Sequence, residues 1–206
     1  MSRISDVLFN PFRWIGGGKA LLIGIIISAL TAIISFFSRV HFPDIISIKL
    51  GPSLPILFLI IQSILNWFVF GVILFILSYL ITKSKYRFID VIGCQSLARF
   101  PFLLAAPLGF IPGTEKFTKF LLNMQLGIGE PVTITDTEIG LALMVILLML
   151  LISIWSIVMM YRGFSISVNA KGGKAVVVFV ISLIASMIVT LLTSTLMFHH
   201  IDVFKV

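Results

Sequence analysis

Arg99 is the residue whose type and position could do the most chemistry, because it lies inside a long apolar run. An arginine at the centre of a membrane-spanning helix costs about 2.5–3.5 kcal/mol by insertion measurements, so its side chain should face protein or water. Gln95 precedes Arg99 by one helical turn and shares its helix face. The pair predicts a polar site within the apolar part of the protein.

A second pair of polar residues, Gln62 and Asn66, has the same one-turn spacing in another apolar run. If the two runs cross a bilayer in opposite directions, Asn66 and Arg99 lie at similar depth near its middle. We therefore expect the two pairs to meet. Amide oxygens would then accept hydrogen bonds from the guanidinium and reduce the cost of burying it.

Pro101 follows this arginine by two residues and lacks the amide hydrogen that a helix interior requires. Its ring also clashes with the carbonyl one turn earlier, so we expect a helix kink near Arg99 and a freed carbonyl as a further acceptor. Two hypotheses follow for the cluster. It forms either a polar cavity for a lipid headgroup or small anion, or a structural clamp of hydrogen bonds between two helices.

Residue patterns typical of catalysis or metal binding are missing from the sequence. The apolar runs contain no pair of carboxylates, and the chain has no serine–histidine–aspartate arrangement and no His-x-x-x-His spacing. His199 and His200 lie close to Asp202, but adjacent helical side chains point about 100° apart and make a poor ligand pair. We therefore predict no enzyme activity, no cofactor and no metal.

Five long apolar runs must position these residues. A bilayer core of about 30 Å is crossed by about 20 apolar helical residues, and each run is near or above that length. The chain is 59% hydrophobic and 11% charged, whereas soluble domains carry about 25% charged residues. We predict an all-α polytopic membrane protein with five transmembrane helices, at approximately Ala20–Phe37, Pro55–Ile81, Phe88–Ile111, Ile139–Tyr161 and Ala175–Phe198.

The basic residues are unevenly shared between the two sides of such a bundle. Nine lysines and arginines fall in the amino-terminal segment and alternate connections, against five on the other side. Short loops rich in these residues stay cytoplasmic, so we expect the amino terminus inside and the carboxyl terminus outside. The domain organisation that follows is a cytoplasmic interfacial segment at 1–19, one five-helix domain at 20–198, and an external tail at 199–206.

The longest connection, residues 112–138, contains a helical pattern too short to span a membrane. Thr114 is expected to cap this helix, which we predict near 114–125 at the outer interface. Thr135 and Glu138 have the spacing of a capping box at the start of the fourth span. The apolar residues of the short helix share one face and are Phe117, Phe120, Leu121 and Met124.

The net charge of +7 at pH 7 is explained by contact of basic residues with anionic lipid headgroups. Basic residues beside a membrane span meet anionic headgroups, each contributing about 1 kcal/mol near the surface. No water-exposed segment carries a basic stripe with interleaved aromatic residues, so we expect no nucleic-acid partner. Membrane lipids are the expected partners.

Several passages of the sequence resemble a known family. Asn10-Pro11-Phe12 leads into the first span, and the passage from Phe88 to Gly93, followed by Pro101, opens the third. Trp155 lies late in the fourth span, and Gly163-Phe164-Ser165 and Gly173-Lys174-Ala175 lead to the fifth. In these passages the chain resembles the Ypt-interacting-protein (Yip) domain family of five-span membrane proteins, over about Phe9–Phe198.

The resemblance implies a compact helical bundle with a cytoplasmic amino terminus. Eukaryotic members act in vesicle trafficking and associate with Rab-type small GTPases and with one another. This chain has only about 19 residues before its first span and lacks their fuller tyrosine- and glycine-rich motifs. It is more similar to the bacterial-type branch, which implies the bacterial inner (cytoplasmic) membrane. Only Asp90 and Gly93 map onto a family motif, and the implied role is structural or partner-binding.

These features favour a non-enzymatic integral membrane protein that organises membrane lipids or partner proteins, through a membrane-protein partner or self-association. The alternative is a transporter, or a lipid- or small-anion-binding component, that uses the polar cluster around Arg99. A water-reachable cavity at Arg99 would favour the alternative, and a packed Arg99 would favour the organising role.

Overall fold

The computed structural model of the protein describes residues 9–82, 85–127 and 132–200, without the side chains of Leu126 and of residues 198–200. The expectations for residues 1–8, for the side chains of His199 and His200, and for residues 201–206 lie outside this description.

The described chain is almost entirely helical. Two short 3-10 turns cover Pro11–Arg13 and Ala106–Phe110. Two-residue strands β1 (Val40–His41) and β2 (Lys49–Leu50) pair antiparallel, with Val40 opposite Leu50. The α-helices are α1 (Gly17–Ser38), α2 (Ile56–Ser78), α3 (Phe88–Leu97), α4 (Phe100–Ala105), α5 (Thr114–Leu126), α6 (Asp136–Val168) and α7 (Gly173–His200).

Five helical stretches are long and apolar enough to cross a membrane, which confirms the five-span prediction. They are α1, α2, the stretch Phe88–Phe110, α6 and residues Gly173–Met197 of α7. The helix α6 has 33 residues, more than a bilayer needs, so it must tilt or extend beyond the hydrocarbon.

The third span lies at the centre of the bundle. In its most apolar window 72% of the residues are buried inside the protein, against 22–44% in the other four spans. It packs against α1, α2 and α6, while α7 packs on α2 at the periphery. This order follows from composition, because the span that carries a charged residue must face protein rather than acyl chains.

Glycines permit the closest contacts of the third span with α1. A side chain on Gly24 of α1 would overlap both the backbone and the side chain of Ser96, and one on Gly93 would overlap the carbonyl of Gly17. Apolar helices gain little from associating in lipid unless their backbones approach closely. These glycines therefore set the packing of α1 on α3.

The third span breaks between α3 and α4, where the sequence places the proline kink. Arg99 lies in the break, and Pro101 is the second residue of α4. At that position proline removes an amide that has no partner within the helix, so the interruption costs little. At the break, the backbone beside Arg99 leaves the regular hydrogen-bond pattern of an α-helix.

The predicted short helix is α5, and the capping box at the start of α6 is confirmed. The amide of Glu138 donates to Thr135 Oγ1 at 3.3 Å, and the amide of Thr135 donates to Glu138 Oε2 at 3.0 Å. The expected cap at Thr114 is corrected. Gly113, with a φ of 91°, is the capping residue, and the Thr114 hydroxyl instead donates to the carbonyl of Ile111 at 2.9 Å.

Candidate functional site

The polar site within the bundle is centred on the Arg99 side chain, which is only 2% exposed. Its Nη1 donates to the carbonyl of Ile45 at 2.9 Å. The guanidinium carbon lies 4.3 Å from the centre of the Phe102 ring, close enough for a cation–π interaction. Arg99 is therefore held by a backbone carbonyl and an aromatic face.

Ile45 belongs to a buried segment of the connection between α1 and α2, residues 42–47, which we call the buried connection. Asp44 is only 2% exposed, and Ile45 is fully buried. The carboxylate Oδ1 of Asp44 accepts from the amides of Ile46 and Ser47, both at 2.8 Å. This is a side-chain-to-backbone turn of the kind that aspartate favours, and it keeps the connection compact inside the bundle.

Other helices also bind the buried connection. Asn66 of α2 donates from Nδ2 to the carbonyls of Phe42 and Asp44, at 2.8 and 2.9 Å. Ser153 of α6 donates from its hydroxyl to the carbonyl of Ile46 at 3.0 Å. Irregular backbone inside a membrane protein is stable only when its polar groups find partners. The side chains of three spans supply those partners here.

The charges of the site offset each other. The carboxylate of Asp44 interacts electrostatically with the guanidinium of Arg99, and both side chains are buried. A buried charge is tolerated when an opposite charge and hydrogen bonds compensate it. The nearby carboxylate therefore offsets part of the cost of burying the Arg99 charge.

The structure corrects the expectation that amide oxygens of the two pairs accept hydrogen bonds from the Arg99 guanidinium. Asn66 and Arg99 come together only through the buried connection. Gln62 donates from Nε2 to Ser194 Oγ of α7 at 2.7 Å, and Gln95 donates from Nε2 to the carbonyl of Met160 at 3.2 Å. The amide oxygens of Asn66 and Gln95 have no partner among the described residues. The Ile45 carbonyl takes the place expected for them.

Sequence reasoning missed Asp44, Ser153 and Phe102. Asp44 lies in a connection between two predicted spans, where a charged residue is expected to meet water, and single serines and phenylalanines are common in membrane spans. The apolar run Ile45–Ile46 directly after Asp44, in a connection expected to meet water, is the signal that could have indicated burial.

The cavity found beside Gln62 is too small for a ligand of the expected kind. A cavity of about 10 Å³ borders Gln62 and Phe42, and a single water needs about 10–15 Å³. The unpartnered buried atoms of the cluster are the Arg99 Nε donor and the amide oxygens of Asn66 and Gln95. Among the described residues, no group of three histidine, cysteine or acidic side chains could hold a metal ion.

Three sequence passages that lie far apart in the chain meet near the start of α1. A Cβ on Gly163 would lie 3.2 Å from both Cys94 Cβ and Phe12 Cζ. Asp90 forms an ion pair with Arg87 at 2.9 Å, and a Cβ on Gly17 would lie 3.0 Å from Asp90 Oδ1. A carboxylate beside the first turn of a helix stabilises the positive end of the helix dipole.

His41 in β1 makes stability depend on pH. The side chain is 8% exposed, and burial lowers the pKa of its imidazole below the ordinary 6.5. The unfolded chain therefore takes up a proton at a higher pH than the folded protein. Stability should be complete above about pH 6.5 and be lost as pH falls through the lowered pKa, at up to about 1.4 kcal/mol per pH unit.

The measurement is the unfolding midpoint of the protein in detergent between pH 7.5 and 5. We expect the midpoint to fall as the pH is lowered and to fall less in His41→Gln, which cannot be protonated in this range. An equal fall in both proteins would contradict a role for His41.

Comparison with known proteins gave one match. The family model described as the Yip1 domain matches residues 6–193 of the chain. No curated protein and no solved structure matches it.

Proposed function

Because this chain belongs to the Yip1 domain family, whose members are associated with membrane trafficking, we propose that it organises partner proteins or lipids in the plane of the bilayer. In this proposal it is a non-enzymatic integral membrane protein of the Yip type, located in the bacterial cytoplasmic membrane. The observation that carries the proposal is the packing of Arg99.

The packing of Arg99 favours the structural-clamp hypothesis over a binding cavity. The guanidinium is bound to the Ile45 carbonyl, stacked on Phe102 and offset by Asp44. A transported solute or a bound headgroup would have to displace these contacts. The interior polar groups of this bundle bind its own backbone. We therefore place its interactions with partners at its surfaces.

The surface we propose for partner contact is formed by exposed side chains around the start of α1, and we call it the amino-terminal surface. Trp14 is 77% exposed, and the half-buried Asp90, paired with Arg87, is the one acidic residue beside this surface among the described residues. Basic and aromatic side chains at a membrane edge bind anionic headgroups or an acidic partner. The exposed basic residues are Arg13, Lys19, Lys85, Arg87, Arg162, Lys171 and Lys174.

The excess of basic residues on this surface supports the cytoplasmic orientation of the amino terminus. The buried connection and α5 then face the other side of the membrane.

The experiment is extraction of the protein into polymer-bounded nanodiscs, followed by quantitative mass spectrometry of proteins and lipids. We expect one protein partner, a second copy of this chain, or one lipid class to be enriched about fivefold over the bulk membrane. Arg13→Gln combined with Trp14→Ala should reduce the enrichment, because both side chains are exposed contacts. Lys116→Gln, an equal change of charge on α5, should leave it unchanged.

A composition equal to that of the bulk membrane in every nanodisc would contradict the organising role. Uptake of a labelled anion into proteoliposomes, abolished in a folded Arg99→Lys variant, would instead favour the transporter alternative.

A further inference from the structure

A groove of about 610 Å³ lies between α5 and the end of α1, on the side of the bundle away from the amino-terminal surface. We call it the α5 groove. Its lining includes Phe37, Arg39, Phe110, Glu115, Lys119 and Leu122. The volume is within the range of small-molecule sites, about 300–1,000 Å³.

At the polar end of the α5 groove, two cationic side chains pair with one carboxylate. Glu115 Oε1 lies 2.6 Å from Arg39 Nη1 and 2.9 Å from Lys119 Nζ. Hydrogen bonds from Lys119 and Arg39 also hold the pKa of Glu115 below its usual value, so the carboxylate stays ionised. The three groups together carry a charge of +1, and both cations keep further N–H donors for a second acceptor.

The rest of the α5 groove is largely apolar and open. Phe37, Phe110 and Leu122 are large hydrophobic side chains that remain exposed in the folded chain. All three line the groove close to the polar end. A ligand that contacts both the cationic end and the apolar walls of the groove therefore combines an anionic group with a hydrocarbon chain.

The backbone at Arg39 is an unusual place for an arginine. Its φ is 58°, in the left-handed region that glycine adopts without strain and other residues rarely occupy. The residue ends α1 and directs a cation to the groove. Glycine would suit the backbone better, so the arginine is better explained by what its side chain binds.

We propose that the α5 groove binds one phospholipid with a singly anionic phosphodiester headgroup. The phosphate lies against Arg39 and Lys119, and one acyl chain lies along Phe37, Phe110 and Leu122. The single negative charge neutralises the +1 cluster, whereas a zwitterionic headgroup would bring an ammonium toward the two cations. The proposal deepens the proposed function by naming a lipid class, and it rests on that function only for a place in the membrane.

The test is native mass spectrometry of the detergent-purified protein, titrated with dioleoyl phosphatidylglycerol or dioleoyl phosphatidylcholine. We expect one phosphatidylglycerol to bind the wild type about tenfold more tightly than phosphatidylcholine. Arg39→Gly with Lys119→Gln should lower phosphatidylglycerol affinity by about thirtyfold, as loss of two headgroup contacts implies. Lys116→Gln removes one positive charge from the same helix outside the groove, as Lys119→Gln does within it, and should bind as wild type does.

Folding does not limit this test. Glycine suits the backbone of residue 39, and Lys119→Gln alone changes a side chain that is 60% exposed and should lower affinity about fivefold. Equal binding of the two lipids to wild type, or unchanged binding in the double variant, would overturn the proposal. So would equal competition by inorganic phosphate, which would indicate an anion site that makes no use of the apolar walls.

The partner experiment uses Arg13 and Trp14 on the opposite side of the bundle. The groove proposal can therefore fail while the nanodisc enrichment persists, and the enrichment can fail while the groove still binds lipid.

Discussion

Arg99→Leu is expected to lower the free energy of unfolding by about 1–3 kcal/mol, the usual cost of leaving a buried hydrogen-bond acceptor without its donor. Leucine leaves the Ile45 carbonyl without its donor and leaves the buried Asp44 carboxylate without a compensating cation. The measurement is reversible unfolding in mixed detergent, with monodispersity on size exclusion as a second readout.

A double-mutant cycle separates this mechanism from a simple packing defect. Asp44→Asn removes the negative charge but keeps an oxygen that can accept from the amides of Ile46 and Ser47. We expect Arg99→Leu with Asp44→Asn to cost about 0.5–1 kcal/mol less than the sum of the single changes, because two nearby opposite charges are coupled. Arg99→Lys should fall between wild type and Arg99→Leu, since lysine keeps the charge but loses the planar group that lies over Phe102.

Additive costs in this cycle would show that Asp44 and Arg99 act independently. Full stability and function of Arg99→Leu would contradict both the clamp and the binding-cavity hypotheses.

The second large effect is expected at Gly93. Substitution by alanine adds one methyl group there, which should push α1 away from α3. A Cβ there overlaps the backbone carbonyl of Gly17, which cannot rotate away as a side chain could. We expect Gly93→Ala to lower the free energy of unfolding by about 1–3 kcal/mol, as overpacking does. The measurement is again unfolding in detergent.

Gly140→Ala provides the matched control. Gly140 is exposed near the start of α6, and a Cβ there meets nothing within 4 Å. The same substitution should stabilise this helix by about 0.5–1 kcal/mol, because alanine loses less backbone entropy than glycine. The opposite signs of the two changes are the critical result, and a neutral or stabilising Gly93→Ala would contradict the close contact with α1.

The family-motif residue Gly93 and the hydrogen bonds around Arg99 both fix the position of α1. Gly93 permits α1 to pack on α3, and Arg99 and Asn66 hold the connection that follows α1. Both ends of α1 are therefore attached to the central part of the bundle. A bundle attached in this way presents α5 and the amino-terminal surface as defined faces for lipids or partners.

Much of the fold could be predicted because a membrane span depends only on a continuous stretch of the sequence. Run length and hydropathy decide whether a helix crosses a bilayer, and the five runs correspond to five spanning helices. Local spacing was equally informative at Thr135 and Glu138, where the capping box lies within a single turn. The presence of Arg99 indicated which span would be most enclosed by protein.

The partners of Arg99 could not be predicted in the same way. Ile45 lies 54 residues from Arg99, in a segment without helical or strand periodicity, so spacing contained no information about its position. The amides of Gln62 and Gln95 had suitable spacing, but their nitrogens bind Ser194 and Met160 on other helices. Which acceptor meets a donor depends on the packing angles of several helices at once.

The sequence by itself determined that Arg99 lies inside a five-span helical protein, because bilayer thickness and the cost of burying charge act on each run separately. Only the tertiary structure decided that Arg99 binds a backbone carbonyl beside Asp44 and lies over the ring of Phe102. The physical reason is that a buried polar group takes whichever partner the packed bundle brings within hydrogen-bond distance. That proximity arises from contacts distant in sequence.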